Sequence, residues 1–120
     1  MTTSTLKRTI TLADIRDLLG AEVLSSSDLS VPIERAGAAD LMSDVLALST
    51  PGMLLLTGLV NAQVIRTAVV ADLSGVVFVR GKRPSESILS LAAEAKIPVL
   101  RTPLLMFEAA GLVYCALVGR

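Results

Sequence analysis

The chain contains no histidine and a single cysteine. Without imidazole, Ser–His and Cys–His catalysis are excluded, and the side chain best suited to proton transfer near neutral pH is missing. The usual zinc sites are excluded as well, because they combine several Cys and His ligands. Neither GxxxxGK[ST] nor GxGxxG occurs, which argues against transfer or hydrolysis of a nucleotide phosphate by this chain alone. The sequence therefore favours binding over catalysis, without a cofactor.

Excess charge and membrane-length apolar segments are also missing. Eleven basic residues balance eleven acidic ones, so the chain lacks the positive field of a general nucleic-acid binder. The longest apolar run, 109–119, is well short of the roughly 20 residues that cross a bilayer. Residues 1–8 have no apolar segment behind their charges and predict a flexible tail, not a signal peptide. We expect a cytoplasmic protein with neither membrane nor nucleic-acid partners.

Aromatic residues are scarce at 2%, although 52% of the chain is hydrophobic. A core of Leu, Val, Ile and Ala is typical of helices packed on a buried sheet. Buried strands are predicted to begin near Met53, Val76 and Pro98, each followed by a turn and a helix, with a period of roughly 22 residues. This pattern predicts one α/β sandwich domain over 9–120, with a mostly parallel sheet of βα repeats flanked by helices.

The first third of the chain carries local signals of its own. Thr11 and Asp14 predict a capping box, and Gly20 predicts the end of the helix that follows. The next segments are predicted as a strand over 21–25, a turn over 25–28 and an extended piece over 31–36 at a sheet edge. Ser43 is predicted to cap a second helix. Asp40 and Asp44 could together bind a hard cation, but two carboxylates supply few of the ligands that calcium or magnesium needs. We expect these side chains to cap a helix and to be solvated instead.

The remaining helices are predicted from proline and capping signals. Pro84 is expected in the first turn of one helix. Thr102 is expected to cap the last helix, which is apolar around most of its circumference. Such a helix must be covered on both sides, so we expect self-association through it, most simply as a dimer; the alternative is a central position in a well-wrapped monomer. Cys115, in this helix, is expected to be a small buried apolar residue.

Polar, turn-forming residues follow each repeated strand, at the edge where open parallel sheets bind ligands. The candidate ligand-binding residues are Thr57, Gly58, Asn61, Arg80, Gly81, Arg83, Arg101 and Thr102, and Lys82 adds a further cation between Gly81 and Arg83. The cations among them stand beside a helix N-terminus and predict a cradle for phosphate or carboxylate. The alternative is that these side chains only solvate the edge, or pair with Glu86 or with acidic residues of a partner.

Five stretches of the sequence together resemble the DRTGG domain family. They are ADLMSDVLA at 39–47, LLTGLVNAQVIRTA at 55–68, VFVRGKRP at 77–84, PVLRTP at 98–103 and FEAAG at 107–111. The resemblance implies a module found alone or joined to CBS domains or phosphotransacetylase-type enzymes, similar to the N-terminal domain of HPr kinase/phosphorylase. Regulatory ligand binding is the function it implies. The stand-alone form is often encoded near iron-iron hydrogenase subunits and small anti-sigma-factor-like ATPases, which implies a protein partner in redox metabolism.

The chain departs from the signature of that family. Val60-Asn61 stands where Asp-Arg is expected, and Val79-Arg80-Gly81 where Thr-Gly-Gly is expected, so only Gly81 is retained. Our leading hypothesis is a non-catalytic regulatory module that binds a small anionic ligand of the nucleotide kind. The second is a scaffold protein that docks a larger metabolic enzyme without a small ligand. A serine-kinase-like enzyme ranks last, because the P-loop of that kinase lies in a domain that this sequence lacks.

Overall fold

A computed structural model describes residues 10–25 and 28–119 of the chain. The predicted tail at 1–8 and the middle of the predicted turn at 25–28 lie outside the described residues. The helices are α1 (Leu12–Leu19), α2 (Met42–Leu48), α3 (Ala62–Val70), α4 (Glu86–Ala95) and α5 (Met106–Val118). The strands are β1 (Ile10–Thr11), β2 (Glu22–Ser25), β3 (Pro32–Ile33), β4 (Ala36–Ala38), β5 (Leu54–Thr57), β6 (Gly75–Phe78) and β7 (Val99–Arg101).

Five strands form the central sheet in the order β2-β7-β6-β5-β4. β4, β5, β6 and β7 pair in parallel, whereas β2 pairs antiparallel with β7. β1 and β3 form a separate antiparallel pair. This arrangement confirms the predicted α/β class with a mostly parallel sheet of βα repeats. The strands beginning near Met53, Val76 and Pro98 are also confirmed, as β5, β6 and β7.

Helices cover both faces of the sheet, and the strand residues alternate between two apolar cores. Leu54, Leu56 and Val77 belong to the core under α1 and α5. Leu55 and Val76 belong to the core under α2, α3 and α4. Strands buried on both faces read as continuous apolar runs, which explains why LLL and VVF in the sequence identify β5 and β6 so clearly.

The first helix matches its sequence signals. The Thr11 backbone N–H donates to Asp14 Oδ2 at 2.9 Å, and the Asp14 N–H donates to Thr11 Oγ1 at 3.2 Å, which completes the capping box. Gly20 ends α1 in the left-handed conformation (φ 58°), which glycine adopts without steric cost.

Two other predicted helix starts are wrong by about two residues. α2 begins after Leu41, with no side-chain cap, so Ser43 lies inside its first turn. Pro84 precedes α4 and does not lie in its first turn, because the N-cap is Ser85, which accepts a hydrogen bond from the Ile88 N–H. The single extended piece predicted over 31–36 is instead two short strands, β3 and β4, which pair with different partners.

The last helix is covered on one face only. Ala109, Val113 and Leu117 pack into the core, whereas Phe107 is 88% exposed and Tyr114 is 62% exposed. Cys115 is exposed, so its predicted burial is wrong: the helix is apolar all round, but the domain covers only one of its sides. Within residues 10–25 and 28–119, no helix is long and apolar enough to cross a membrane.

Candidate ligand site at the carboxyl edge of the sheet

The topology brings most of the predicted site residues to one edge. β5, β6 and β7 run in parallel, so the turns after Thr57, Phe78 and Arg101 lie side by side. The antiparallel strand β2 adds its first residue, Glu22, at the same edge, opposite Arg101. The candidate residues form two groups there, one around Gly58 and one around Glu22.

The turn after β5 is held by a carboxylate from the neighbouring loop. Asp40 Oδ1 accepts the Gly58 backbone N–H at 2.7 Å and the Thr57 hydroxyl at 3.2 Å. Thr57 Oγ1 in turn accepts the Leu59 N–H at 3.1 Å. Thr57 is fully buried, so its hydroxyl stabilises the turn from inside the domain. Because the Asp40 carboxylate accepts the Gly58 N–H, this amide is not free to donate to a bound anion.

Two cations from the next turn reach the same glycine. Lys82 Nζ donates to the Gly58 carbonyl at 2.8 Å. The Arg80 guanidinium lies so close that a Cβ added at Gly58 would stand 2.9 Å from Arg80 Nη2 and 3.4 Å from Asp40 Oδ1. Glycine at position 58 therefore makes room for the Arg80 side chain.

The turn that carries these cations has an uncommon backbone. Arg80 (φ 61°) and Gly81 (φ 67°) are both left-handed, and the Lys82 N–H donates to the Val79 carbonyl at 3.3 Å, the pattern of a type I′ turn. Two more backbone bonds fix this turn against the loop after β7: Arg80 N–H to the Leu104 carbonyl at 2.7 Å and Gly81 N–H to Thr102 O at 2.8 Å.

Left-handed non-glycine residues are uncommon, and the carboxyl end of a helix is one frequent place for them. The described part of the chain has three, of which Lys96 caps α4 and Asp72 follows the cap of α3. Arg80 lies in a turn and ends no helix. A backbone strained in this way and fixed on both sides is more common at functional sites than elsewhere.

The second group is a shared ion pair. Glu22 Oε1 accepts Arg101 Nη1 at 3.1 Å and lies 3.5 Å from Arg83 Nη1. Arg101 Nε also donates to the Gly81 carbonyl at 3.0 Å, which ties this group to the Arg80–Gly81 turn. Arg83 therefore pairs with Glu22, a residue 61 positions away, and not with Glu86, the partner considered from the sequence.

Two predicted site residues have structural roles. Thr102 is fully buried, and its hydroxyl donates to the Leu19 carbonyl at 2.7 Å. It does not cap α5, whose N-cap is Leu105, so that prediction is wrong. Asn61 caps α3 by accepting the Val64 N–H at 3.2 Å, although its side chain remains exposed at the edge.

The acidic pair suggested by spacing does not form a unit. Asp40 precedes α2 and binds the Gly58 turn, whereas Asp44 lies in the first turn of α2. Among the described residues, no three side chains of the metal-ligating types come together. Asp40 is the residue that sequence reasoning misplaced, and no local signal connects it to a glycine 18 positions away.

The carboxyl edge can attract and orient an anion. Arg80, Lys82, Arg83 and Arg101 converge there, and the amino ends of α3, α4 and α5 point their positive dipoles towards the same edge. Two open grooves of about 390 and 450 Å³ lie at the opposite edge, lined by residues such as Ser74. The negative ends of the helices face those grooves, which favours the carboxyl edge for an anionic ligand.

Comparison with known proteins agrees with this architecture. The family model of the DRTGG domain matches residues 14–115. The chain belongs to the DRTGG domain family. No curated protein sequence matches this DRTGG domain significantly.

A solved structure of similar fold comes from the regulatory region of an enzyme. It is the regulatory region, with CBS and DRTGG domains, of a pyrophosphatase from Clostridium perfringens, complexed with the activator diadenosine tetraphosphate. The TM-score is 0.74 at 23% identity over 90% of this chain. This chain covers 47% of that one, so it spans about half the length of the solved regulatory region.

Proposed function

We propose that this DRTGG domain is a non-catalytic regulatory module that binds a small anionic ligand, of the nucleotide or phosphorylated-metabolite class, in the cytoplasm. The observation that carries the proposal is the convergence of Arg80 and Lys82 on Gly58, at the same edge as the two arginines that pair with Glu22. Cations from separate loops form an anion site at a sheet edge only when the fold holds those loops together. Here backbone hydrogen bonds join the Arg80–Gly81 turn to the loop after β7.

The two groups would serve a ligand differently. Within the described residues, the ion pairs of this edge join Arg83 and Arg101 to Glu22, and none includes Arg80 or Lys82. Arg80 and Lys82 would therefore make the first contacts with a phosphate. Arg83 and Arg101 would engage a second anionic group by exchanging their bonds with Glu22, whose carboxylate is exposed and costs little to release.

The similar fold in a nucleotide-activated regulatory region supports the nucleotide class. That region contains CBS domains as well, and its complex with diadenosine tetraphosphate is a property of the whole region. For this chain, diadenosine tetraphosphate, ATP, AMP and inorganic pyrophosphate are the first probes to compare. They share the phosphate chemistry but differ in the base and in the number of anionic groups.

Isothermal titration and thermal melting test the proposal. A ligand present at 100 times its Kd adds about 2.7 kcal/mol to stability, which should raise the melting temperature by about 10 °C. The variant R80A/K82A should bind at least about 100-fold more weakly. Arg66→Ala is the matched control, because Arg66 is an exposed cation on α3. Absence of any shift with all four probes, or equal loss in the control, would contradict the proposal.

Self-association through α5 is the second part of the proposed function. The face bearing Phe107 and Tyr114 is apolar and exposed, and monomers rarely leave a large apolar patch open. A homo-oligomer would allow ligand binding at one subunit to affect its neighbour. Sedimentation velocity at micromolar concentration measures this directly, and a species of 12.5 kDa alone would contradict it.

A docking function is the alternative, and one observation favours it. Leu46, Leu48, Val69 and Val70 are exposed on α2 and α3, with Leu48 77% and Val70 76% exposed. A larger metabolic enzyme, for example a hydrogenase-associated one, would cover this surface without a small ligand. Partner capture that survives R80A/R101A but fails in L48E/V70E would support docking; the opposite pattern would support the ligand-dependent module.

A further inference from the structure

The two edges of the central sheet differ in how they are protected. The β2 edge carries Glu22 and an irregular register between Val23 and Ser25; charges and bulges of this kind block edge-to-edge pairing. The β4 edge is the sequence Ala36-Gly37-Ala38, with no charge, proline or bulge within it.

The outward backbone groups of β4 have no partner among the described residues. The Arg35 carbonyl and the Ala39 N–H both bond to β5. Because alternate residues of a parallel strand bond to the same neighbour, Gly37 faces β5, whereas the N–H and C=O groups of Ala36 and Ala38 face away from the sheet. These four groups form a regular template for another strand.

An apolar groove continues from this edge on to α5. It has a volume of about 210 Å³ and is lined by Ala36, Gly37, Ala38 and Leu56 from the sheet and by Ala110, Val113, Tyr114 and Leu117 from α5. The exposed face of α5 lies directly beside it. Strand edge, groove and helix face therefore form one continuous surface.

Gly111 stands in the middle of the exposed face of α5. Beyond the backbone of α5 itself, nothing in the described part of the chain lies within 4 Å of a Cβ added there, so no contact among these residues requires glycine. Glycine in a helix interior costs about 1 kcal/mol relative to alanine. A neighbouring helix that must approach closely is a physical reason to retain it.

We infer that the β4 edge and α5 form the interface with a second copy of this chain, in a two-fold dimer with one continuous sheet. Antiparallel pairing of β4 with its copy, centred on Gly37, joins Ala36 of each copy to Ala38 of the other. All four outward groups on each strand are then bonded. The two-fold axis is perpendicular to the sheet, so both copies of α5 lie on the same face and run antiparallel.

The spacing of the elements fits this dimer. α5 packs over β4 and β5, and strands lie about 4.8 Å apart. A helix centred above these two strands therefore lies about 5 Å from the two-fold axis. The two copies of α5 would be about 10 Å apart, near the spacing of about 8–10 Å at which helices pack. A second copy thus supplies both a strand for the bare edge and an apolar helix for the bare face.

Two variants test the interface without disturbing the fold of the subunit. Ala38→Pro removes an N–H that points away from the sheet, and proline is tolerated at such edges. Gly111→Glu places a charge on the helix face while raising its helix propensity. Leu48→Glu, on the opposite layer, is the matched control. Circular dichroism of each full-length variant checks that the fold is retained.

Sedimentation velocity gives the result. The wild-type chain and Leu48→Glu should be dimers at micromolar concentration, and Ala38→Pro and Gly111→Glu should weaken dimerisation at least about 100-fold. A wild-type monomer at about 100 µM, or a dimer that persists in both interface variants, would overturn the inference. The inference extends the self-association in the proposed function and is independent of its ligand site, because the sedimentation experiment contains no ligand.

Discussion

Replacement of Arg80 by glycine should stabilise the fold while weakening ligand binding. Arg80 has φ 61° in the turn over Gly58, and a left-handed backbone costs a non-glycine residue roughly 1–2 kcal/mol. Glycine removes this strain but adds freedom to the unfolded chain, which costs about 0.4–1 kcal/mol. The net gain should be about 0.5–1 kcal/mol, or about 2–5 °C in melting temperature.

Urea unfolding of the wild type, Arg80→Gly and Arg80→Ala separates the effect of backbone strain from that of side-chain contacts. Arg80→Gly should have a higher midpoint than the wild type, whereas Arg80→Ala retains the strain and should not. Both variants should lose affinity for the nucleotide probes in parallel. If Arg80→Gly is less stable than Arg80→Ala, the turn is not strained in the way the backbone angle indicates, and the case for a functional role of Arg80 fails.

Three further perturbations test separate parts of the structure. Asp40→Ala leaves the buried Gly58 N–H without its acceptor and should cost about 1–2 kcal/mol in urea unfolding. Thr102→Val removes the buried hydrogen bond to Leu19 and should cost a similar amount, about 1–2 kcal/mol, with ligand affinity unchanged because the hydroxyl is inaccessible. The backbone N–H of Thr11, and secondarily its hydroxyl, lowers the pKa of Asp14. Because the folded pKa is the lower one, the stabilisation is present above the unfolded pKa and is lost as pH falls through the folded pKa. Asp14→Asn should therefore flatten the acid side of the melting profile.

Each of these expectations has an outcome that contradicts it. Asp44→Asn, in the first turn of the helix that follows Asp40, should change stability by less than about 0.5 kcal/mol, and an equal loss would remove the special role of Asp40. Weaker ligand binding by Thr102→Val would place that hydroxyl in the site after all. A melting profile of Asp14→Asn that parallels the wild type at low pH would show that the capping box does not depend on the charge.

Sequence signals identified the elements whose stability is local. The capping box of α1 is complete within four residues, and the apolar runs of β5 and β6 reflect burial on both faces, so composition alone indicates them. The carboxyl-edge residues were also predictable in part, since parallel strands bring their following turns together. Gly58, Arg80 and Lys82 meet for this reason.

Apart from the helix starts predicted at Ser43, Pro84 and Thr102, the incorrect predictions concern contacts between distant residues. Asp40 was considered together with Asp44, because spacing describes only near neighbours. Its partner Gly58 is reached through the β4–β5 pairing. Glu22 meets Arg101 because β2 joins the sheet antiparallel, which no pattern within β2 encodes. Cys115 was expected to be buried because its helix is apolar all round. The sequence shows that this surface is apolar, but it does not show whether another part of the domain covers it.

The proposed function depends on the binding of an anion by the cations at the carboxyl edge. Amide chemical-shift mapping of the full chain during titration with inorganic pyrophosphate and then ATP tests it most directly. We predict saturable shifts concentrated at Gly58, Gly81, Lys82 and Arg101, which Arg80→Ala weakens. Shifts concentrated at the opposite edge, around Ser74 and Lys96, or no shifts at millimolar concentrations of either probe, would contradict it.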